Sequence, residues 1–191
     1  WVDSLRQVYS SRTKTIRDNL VEGQPVELEG TANIYPVWSP DGNKIAYVSN
    51  IGGDYFSYNN LILFDRKSGK KKVVARRISS SLSWSNDGRY IAYASQRMQS
   101  TGSSYNELFL YDLQEEKEIR LTEGLRRSNP DFSHDDRKLS FVSATDGMHQ
   151  LNVYHLPDRF SENFTQEFYF DVETGDLIEK SETEEINLRK V

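Results

Sequence analysis

Short apolar runs occupy Ile45-Ala46-Tyr47-Val48 and Tyr90-Ile91-Ala92-Tyr93-Ala94, and a third, Leu139-Ser140-Phe141-Val142, is interrupted only at Ser140. Such a run, bounded by turn residues, marks a strand. The same device introduces each run: an aromatic, a serine, then a short turn carrying aspartate. The three copies read Trp38-Ser39-Pro40-Asp41-Gly42, Trp84-Ser85-Asn86-Asp87-Gly88 and Phe132-Ser133-His134-Asp135-Asp136, with the aromatics 46 and 48 residues apart. Each copy predicts one hairpin, because Asp-Gly suits a tight turn that needs positive φ. Self-similarity at a period of 40 to 50 residues predicts an array or a propeller.

The spacing fills out the repeats. In the first, Ile34–Ser39 and Ile45–Ser49 form the hairpin, Asn50–Asn60 a long loop, Leu61–Asp65 a third strand and Lys71–Ala75 a fourth. The second runs Leu82–Ser85, Tyr90–Ser95, a loop from Gln96 to Asn106, Leu108–Asp112 and Glu118–Thr122. The third runs Pro130–Ser133, Lys138–Ser143, a loop Ala144–His149 and Gln150–Tyr154. Phe168–Ile178 then resembles strands three and four of the first repeat, so a segment around 157–166 reads as a linker or as a gap in the repeat sequence. Four strands per repeat predict an all-β protein, a β-propeller of four-stranded blades with three to four blades represented and the ring incomplete.

Ahead of the blades, Trp1, Leu5, Val8, Tyr9, Ile16 and Leu20 recur near one face at helical spacing and Gly23 offers a stop. Residues 1–23 are expected to be a helical joint to a preceding domain, broken near Ser10-Ser11, with membrane-surface binding as the alternative use of its apolar stripe. Gln24–Gly30 alternates like an edge strand, and Val26–Glu29 would complete the last blade if the ring closes on itself. Blades are expected over 24–178 and an acidic tail over 179–191. Opening at Trp1, with too few blades for a ring, the chain is expected to be a piece of something longer or to close by self-association.

Composition narrows the function. The chain has 191 residues, net charge −5 and no cysteine. That charge argues against a nucleic-acid partner, and the lack of cysteine removes disulfides and thiolate metal sites. No apolar run approaches a membrane span. His-Glu-x-x-His, Gly-x-Ser-x-Gly and phosphate-cradling glycine loops are missing. His134, His149 and His155 lack ligand spacing, so neither a metal nor a cofactor is expected, and no catalytic residue is assigned.

The pattern Pro36-x-Trp38-Ser39-Pro40-Asp41-Gly42-x-x-Ile45-Ala46-Tyr47, with Leu121-Thr122 ahead of a later copy, resembles the WD-like repeats of TolB-type β-propellers. The second copy departs at Leu82 and Asn86, the third at Phe132, His134 and Asp136. The helix ahead of the first blade is also similar to the joint seen where a metallopeptidase-like domain precedes such a propeller. The first resemblance implies a non-catalytic protein-interaction scaffold of the bacterial cell envelope, in the periplasm. The second implies an alternative, an accessory propeller of a larger peptidase that positions or gates substrate.

Regular recurrence assigns Ser39, Asp41, Ser85, Asp87, Ser133 and Asp135 to turns, and Trp38 and Trp84 supply apolar area between blades, with Phe132 at the matching position of the third copy. Loops joining second and third strands share a face with the connections between blades. The candidate partner-binding residues on that face are Asp54, Tyr55, Phe56, Tyr58, Arg97 and Tyr105, with the arginine pairs Arg76-Arg77 and Arg126-Arg127. Arginines converging there would clamp a carboxylate or an acidic peptide.

Overall fold

The structure is a computed structural model describing residues 1–21, 23–52, 58–98, 102–123, 126–145, 147–156, 168–170 and 177–179. Helix α1 spans Val2–Asp18, with Asp3 in its first turn and Arg17 in its last, both suited to the helix dipole. The expected break at Ser10-Ser11 does not occur. The Ser10 hydroxyl donates to the Gln7 carbonyl (2.9 Å) and that of Thr13 to Tyr9 (2.8 Å), so the hydroxyls are satisfied on the preceding turn and the helix continues. Val2, Val8, Tyr9 and Ile16 are exposed along it.

Three antiparallel sheets follow. The first holds β1 (Asn33–Trp38), β2 (Lys44–Ser49), β3 (Asn60–Asp65) and β4 (Lys71–Arg76) in sequential order. The second holds β5 (Ser83–Trp84), β6 (Tyr90–Met98), β7 (Ser104–Asp112) and β8 (Lys117–Arg120) in the same order. The third contains β9 (Arg126–Phe132), β10 (Lys138–Thr145), β11 (Met148–His155), β12 (Phe168–Phe170) and β13 (Leu177–Glu179). Sequential four-stranded meanders stacked face to face are propeller blades.

Four expectations change. Gln24–Gly30 lies in no sheet; the Glu27 carboxylate accepts the Glu29 N–H two residues on (2.9 Å), a local turn that takes the place of ladder bonds. The idea that Val26–Glu29 completes a blade is therefore wrong. The loop expected over Gln96–Asn106 is mostly ladder, with Gln96 opposite Asn106, Arg97 opposite Tyr105 and Met98 opposite Ser104. Ala144 and His149 likewise pair across a tight hairpin. Lastly, β12 and β13 belong to the third sheet and not to a fourth. Val153 pairs with Phe168, and Tyr169 with Ile178, so the outer edge of β11 is covered by its own blade. The segment 157–166, expected as a linker or as a gap in the repeat sequence, and most of the acidic tail lie outside the described residues.

One turn design is built three times. The Ser39 hydroxyl meets the Asp41 carboxylate at 2.5 Å and accepts the Lys44 N–H at 2.8 Å, while Asp41 also accepts the Asn43 N–H at 3.0 Å. Ser85, Asp87, Arg89 and Tyr90 repeat it, as do Ser133, Asp135, Arg137 and Lys138. The aspartates thus hold backbone amides that the end of the ladder leaves unpaired.

The blades also touch at these turns. Pro40 of the first faces Gly88 of the second. At the same place on the next pair, Asn86 stands for the proline and Asp136 for the glycine. There the Asp136 carboxylate accepts the N–H groups of Asn86 (2.7 Å) and Asp87 (2.9 Å).

Two apolar layers join the sheets. Val48, Leu61 and Ala75 of the first pack against Ile91, Tyr93, Phe109 and Trp84 of the second. Ala94, Leu108 and Leu110 of the second meet Leu139, Phe141, Tyr154 and Phe132 of the third. Each large side chain so buried contributes about 1.5–3 kcal/mol. Trp84 and Phe132 sit in these layers, whereas Trp38, their counterpart on the outer side of the first sheet, is 56% exposed beneath the Arg66 guanidinium.

Candidate functional site

Register places the candidate residues. Ser49 of β2 and Ser95 of β6 occupy the same position in successive repeats, opposite Asn60 and Glu107. Counting back two residues makes Tyr58 the equivalent of Tyr105. Similarly, Ile78 bridges to Ser95 and Arg127 pairs with Ser143, which makes Arg77 the equivalent of Arg126. The side chains follow this symmetry. Arg77 lies over the Tyr58 ring at 5.9 Å, and Arg126 lies over the Tyr105 ring at 5.2 Å. Each pair spans two blades, with the tyrosine at the start of a third strand and the arginine at the lead-in to the next blade.

The backbone fixes Arg77 firmly. It has φ of 59°, a left-handed conformation that costs a non-glycine residue about 1–2 kcal/mol. Its carbonyl accepts the Gln96 N–H (3.0 Å), and the carbonyl of Arg76 accepts the Ser95 hydroxyl (2.9 Å). Next to it, Ile78 is buried and donates its N–H to Asn59 (2.9 Å). Arg76, Arg77 and Arg126 are exposed.

Arg127 and Arg97, also predicted for that face, are engaged within the blades. Arg127 is 2% exposed, with its guanidinium about equally far from the Phe141 ring (5.1 Å) and the Tyr154 ring (5.2 Å). Strand alternation sends it into the layer that Ile78 occupies one blade earlier. Arg97 is held within its own blade. It donates to Ser95 (2.8 Å) and to both Glu118 oxygens (3.0 and 3.1 Å), and it lies 4.6 Å over Phe109. The Tyr93 hydroxyl also donates to Glu118, at 2.6 Å. Burial first, then Glu118, push the Tyr93 phenol up. Asp54, Tyr55 and Phe56 lie outside the described residues.

Sequence reasoning missed a related carboxylate. Lys71, opposite Phe64, holds the place that Glu118, opposite Tyr111, holds in the second sheet. The first sheet therefore lacks a strand carboxylate beneath Tyr47, and Glu27 from the lead segment supplies it. Glu27 accepts from Tyr47 (2.7 Å) and Lys71 (2.9 Å) with its side chain 6% exposed. Burial raises the Glu27 carboxyl, but the bonds from Lys71, the Glu29 N–H and Tyr47 outweigh it and hold the group down to about 2. Nothing in the local sequence marks this contact, since its partners are 20 and 44 residues away.

Among the described residues no group of three or more His, Asp or Glu side chains is placed to hold a metal ion. Among them, too, no helix is long and apolar enough to cross a membrane.

The fold and the repeated turn define the class: blades of a β-propeller, preceded by a helix. More narrowly, the blades are similar in sequence to part of TolB. Over 118 residues the chain is 33% identical to the Tol-Pal system protein TolB of Francisella tularensis subsp. holarctica, covering 58% of this chain and 26% of that protein. The chain thus spans about a quarter of the length of the curated relatives it matches. Among solved structures it is similar to TolB from Acinetobacter baumannii, with a TM-score of 0.53 at 20% identity over 78% of this chain and 43% of that one. It is also similar to oligogalacturonate lyase in complex with manganese, with a TM-score of 0.51 at 18% identity over 71% and 38%. At such identities the structural likeness shows the fold, and this fold carries both binding proteins and enzymes. No protein-family model matches the chain.

Proposed function

We propose that these blades are a non-catalytic protein-interaction module of the bacterial cell envelope, acting in the periplasm and binding a peptide or protein on the face that carries Tyr58, Arg76, Arg77, Tyr105 and Arg126. The observation that carries this reading is the register-matched arrangement of exposed arginines over tyrosines on that face, repeated from one blade to the next. Arginine and tyrosine are enriched where proteins bind proteins, because both offer flat contact area with hydrogen-bonding edges. The opposite face carries the Ser-Asp turns, whose polar groups are already occupied by their own backbone. The relationship to a Tol-Pal system protein supports a binding role and an envelope location.

The test is site-specific photo-cross-linking to a random peptide library. A cross-linking amino acid placed at Tyr58 is expected to capture peptides, and one placed at Ser68, on the opposite face, is not. Equal capture at both positions would remove the assignment of the binding face.

A further inference from the structure

We infer that Arg77 over Tyr58 and Arg126 over Tyr105 form a two-point site for an extended acidic peptide, reading two carboxylates one blade apart. The inference deepens the protein-binding reading above and rests on it.

Five other cations of the blades are committed to carboxylates. Lys71 pairs with Glu27, Lys72 with Glu116, Arg89 with Asp112, Arg97 with Glu118, and Arg120 with Glu107 and Glu123. Among the described residues no carboxylate pairs with Arg77 or Arg126 within 4 Å; each is set over an aromatic ring instead. A cation held over a ring spends none of its N–H donors on an acceptor, so the planar fork remains available for a carboxylate. The ring also limits the rotamers of the guanidinium, which lowers the entropy lost when a ligand is bound.

Repetition distinguishes this arrangement from scattered surface arginines. Both pairs use the same register positions, Tyr58 with Tyr105 and Arg77 with Arg126, so the two forks project from equivalent points of neighbouring blades. Packed sheets lie about 10 Å apart. An extended peptide in the polyproline II conformation has three residues per turn and rises about 3.1 Å per residue, so carboxylates three residues apart share one face and match the spacing. Arg76, exposed beside Arg77, adds positive potential at one end.

The experiment is fluorescence anisotropy with labelled ten-residue peptides of Gly and Ser carrying two glutamates separated by one, three or five positions. The full chain is used, at low salt. The Glu-x-x-Glu peptide is expected to bind tightest, and its Gln-x-x-Gln counterpart at least about tenfold more weakly. Arg77→Ala and Arg126→Ala are each expected to cost about tenfold, with Arg→Lys restoring little because the fork is lost. Ser68→Ala, at a turn on the opposite face, should leave binding intact. Circular dichroism of each variant confirms that the blades remain folded.

Affinity that ignores glutamate spacing, unchanged binding by both alanine variants, or no binding of any acidic peptide would each overturn the two-point site. The library cross-linking separates the failures. Capture at Tyr58 that does not enrich for acidic residues sinks this inference alone, whereas equal capture at Ser68 sinks the interaction face with it.

Discussion

The hydroxyl of Tyr47 donates to Glu27 across 2.7 Å, which ties the segment ahead of the first blade to its second strand. The same tyrosine position in the second blade, Tyr93, uses Glu118 of its own sheet. One polar contact is thus conserved in geometry while its carboxylate comes from two different parts of the chain.

A pH dependence follows. The Glu27 carboxyl is held at about 2, below its ordinary value of 4.5. A depressed carboxyl stabilises the folded contact above its ordinary value and loses that stabilisation as pH falls from 4.5 towards 2. The lead segment should therefore be secured at neutral pH and released in that acidic window. Glu27→Gln is expected to mimic the release at pH 7. Hydrogen exchange at the Thr31 and Ala32 amides, which donate to the Asn50 side chain at 2.9 and 3.0 Å, reports it. Identical exchange in both proteins at pH 7 would show that Glu27 does not hold the segment.

Arg97 should behave as an internal brace and not as a ligand contact. Arg97→Ala strips Glu118 of its cation and uncovers Phe109, so a loss of about 1–3 kcal/mol is expected in urea unfolding. Acidic-peptide affinity should not change. A variant of normal stability with weakened binding would return Arg97 to the interaction face.

Among the turn serines, Ser85 is fully buried, and its oxygen accepts the Tyr90 N–H at 2.8 Å. Ser85→Ala leaves that amide and one face of Asp87 unsatisfied, for about 1–3 kcal/mol. Ser133→Ala, at a less buried copy of the same turn, should cost less, and unfolding midpoints of the two variants compare them directly.

At the contact between the second and third blades, Asn86→Pro removes an N–H that Asp136 accepts, and Asp136→Gly removes the acceptor. Each change alone should destabilise by about 1–2 kcal/mol. Together they recreate the Pro40–Gly88 contact of the first blade pair, so the double variant should lose less than the sum. Additive losses in the double-mutant cycle would show that the two positions are not coupled.

Much of the fold was legible because its signals are local. Ser39-Pro40-Asp41-Gly42 and its copies mark turns by chemistry, and Ile45-Ala46-Tyr47-Val48 marks a strand as a short apolar run. Strand ends were harder: nothing in Gln96–Asn106 says that Arg97 and Tyr105 will pair, because that ladder depends on a partner strand and not on propensity. The candidate site was legible in part. Arg77 and Arg126 stand out as members of arginine pairs, but only register shows that Arg126 faces outward and Arg127 inward. Glu27 sits in a stretch that alternates like a strand, and its real partners, Tyr47 and Lys71, come from elsewhere in the chain.

The contact of Asn86 with Asp136, beside that of Pro40 with Gly88, means that neighbouring blades carry matched keys. A blade with asparagine at its turn requires an acid on the blade that follows, whereas a blade with proline requires only an open glycine. Blades cut and rejoined in another order would meet a proline with no amide to offer the aspartate, or an asparagine facing bare glycine. The order of the blades is therefore written twice, once in the linear chain and once in these turn-to-turn pairings, and a recombined propeller would have to keep each pairing whole to close its seams.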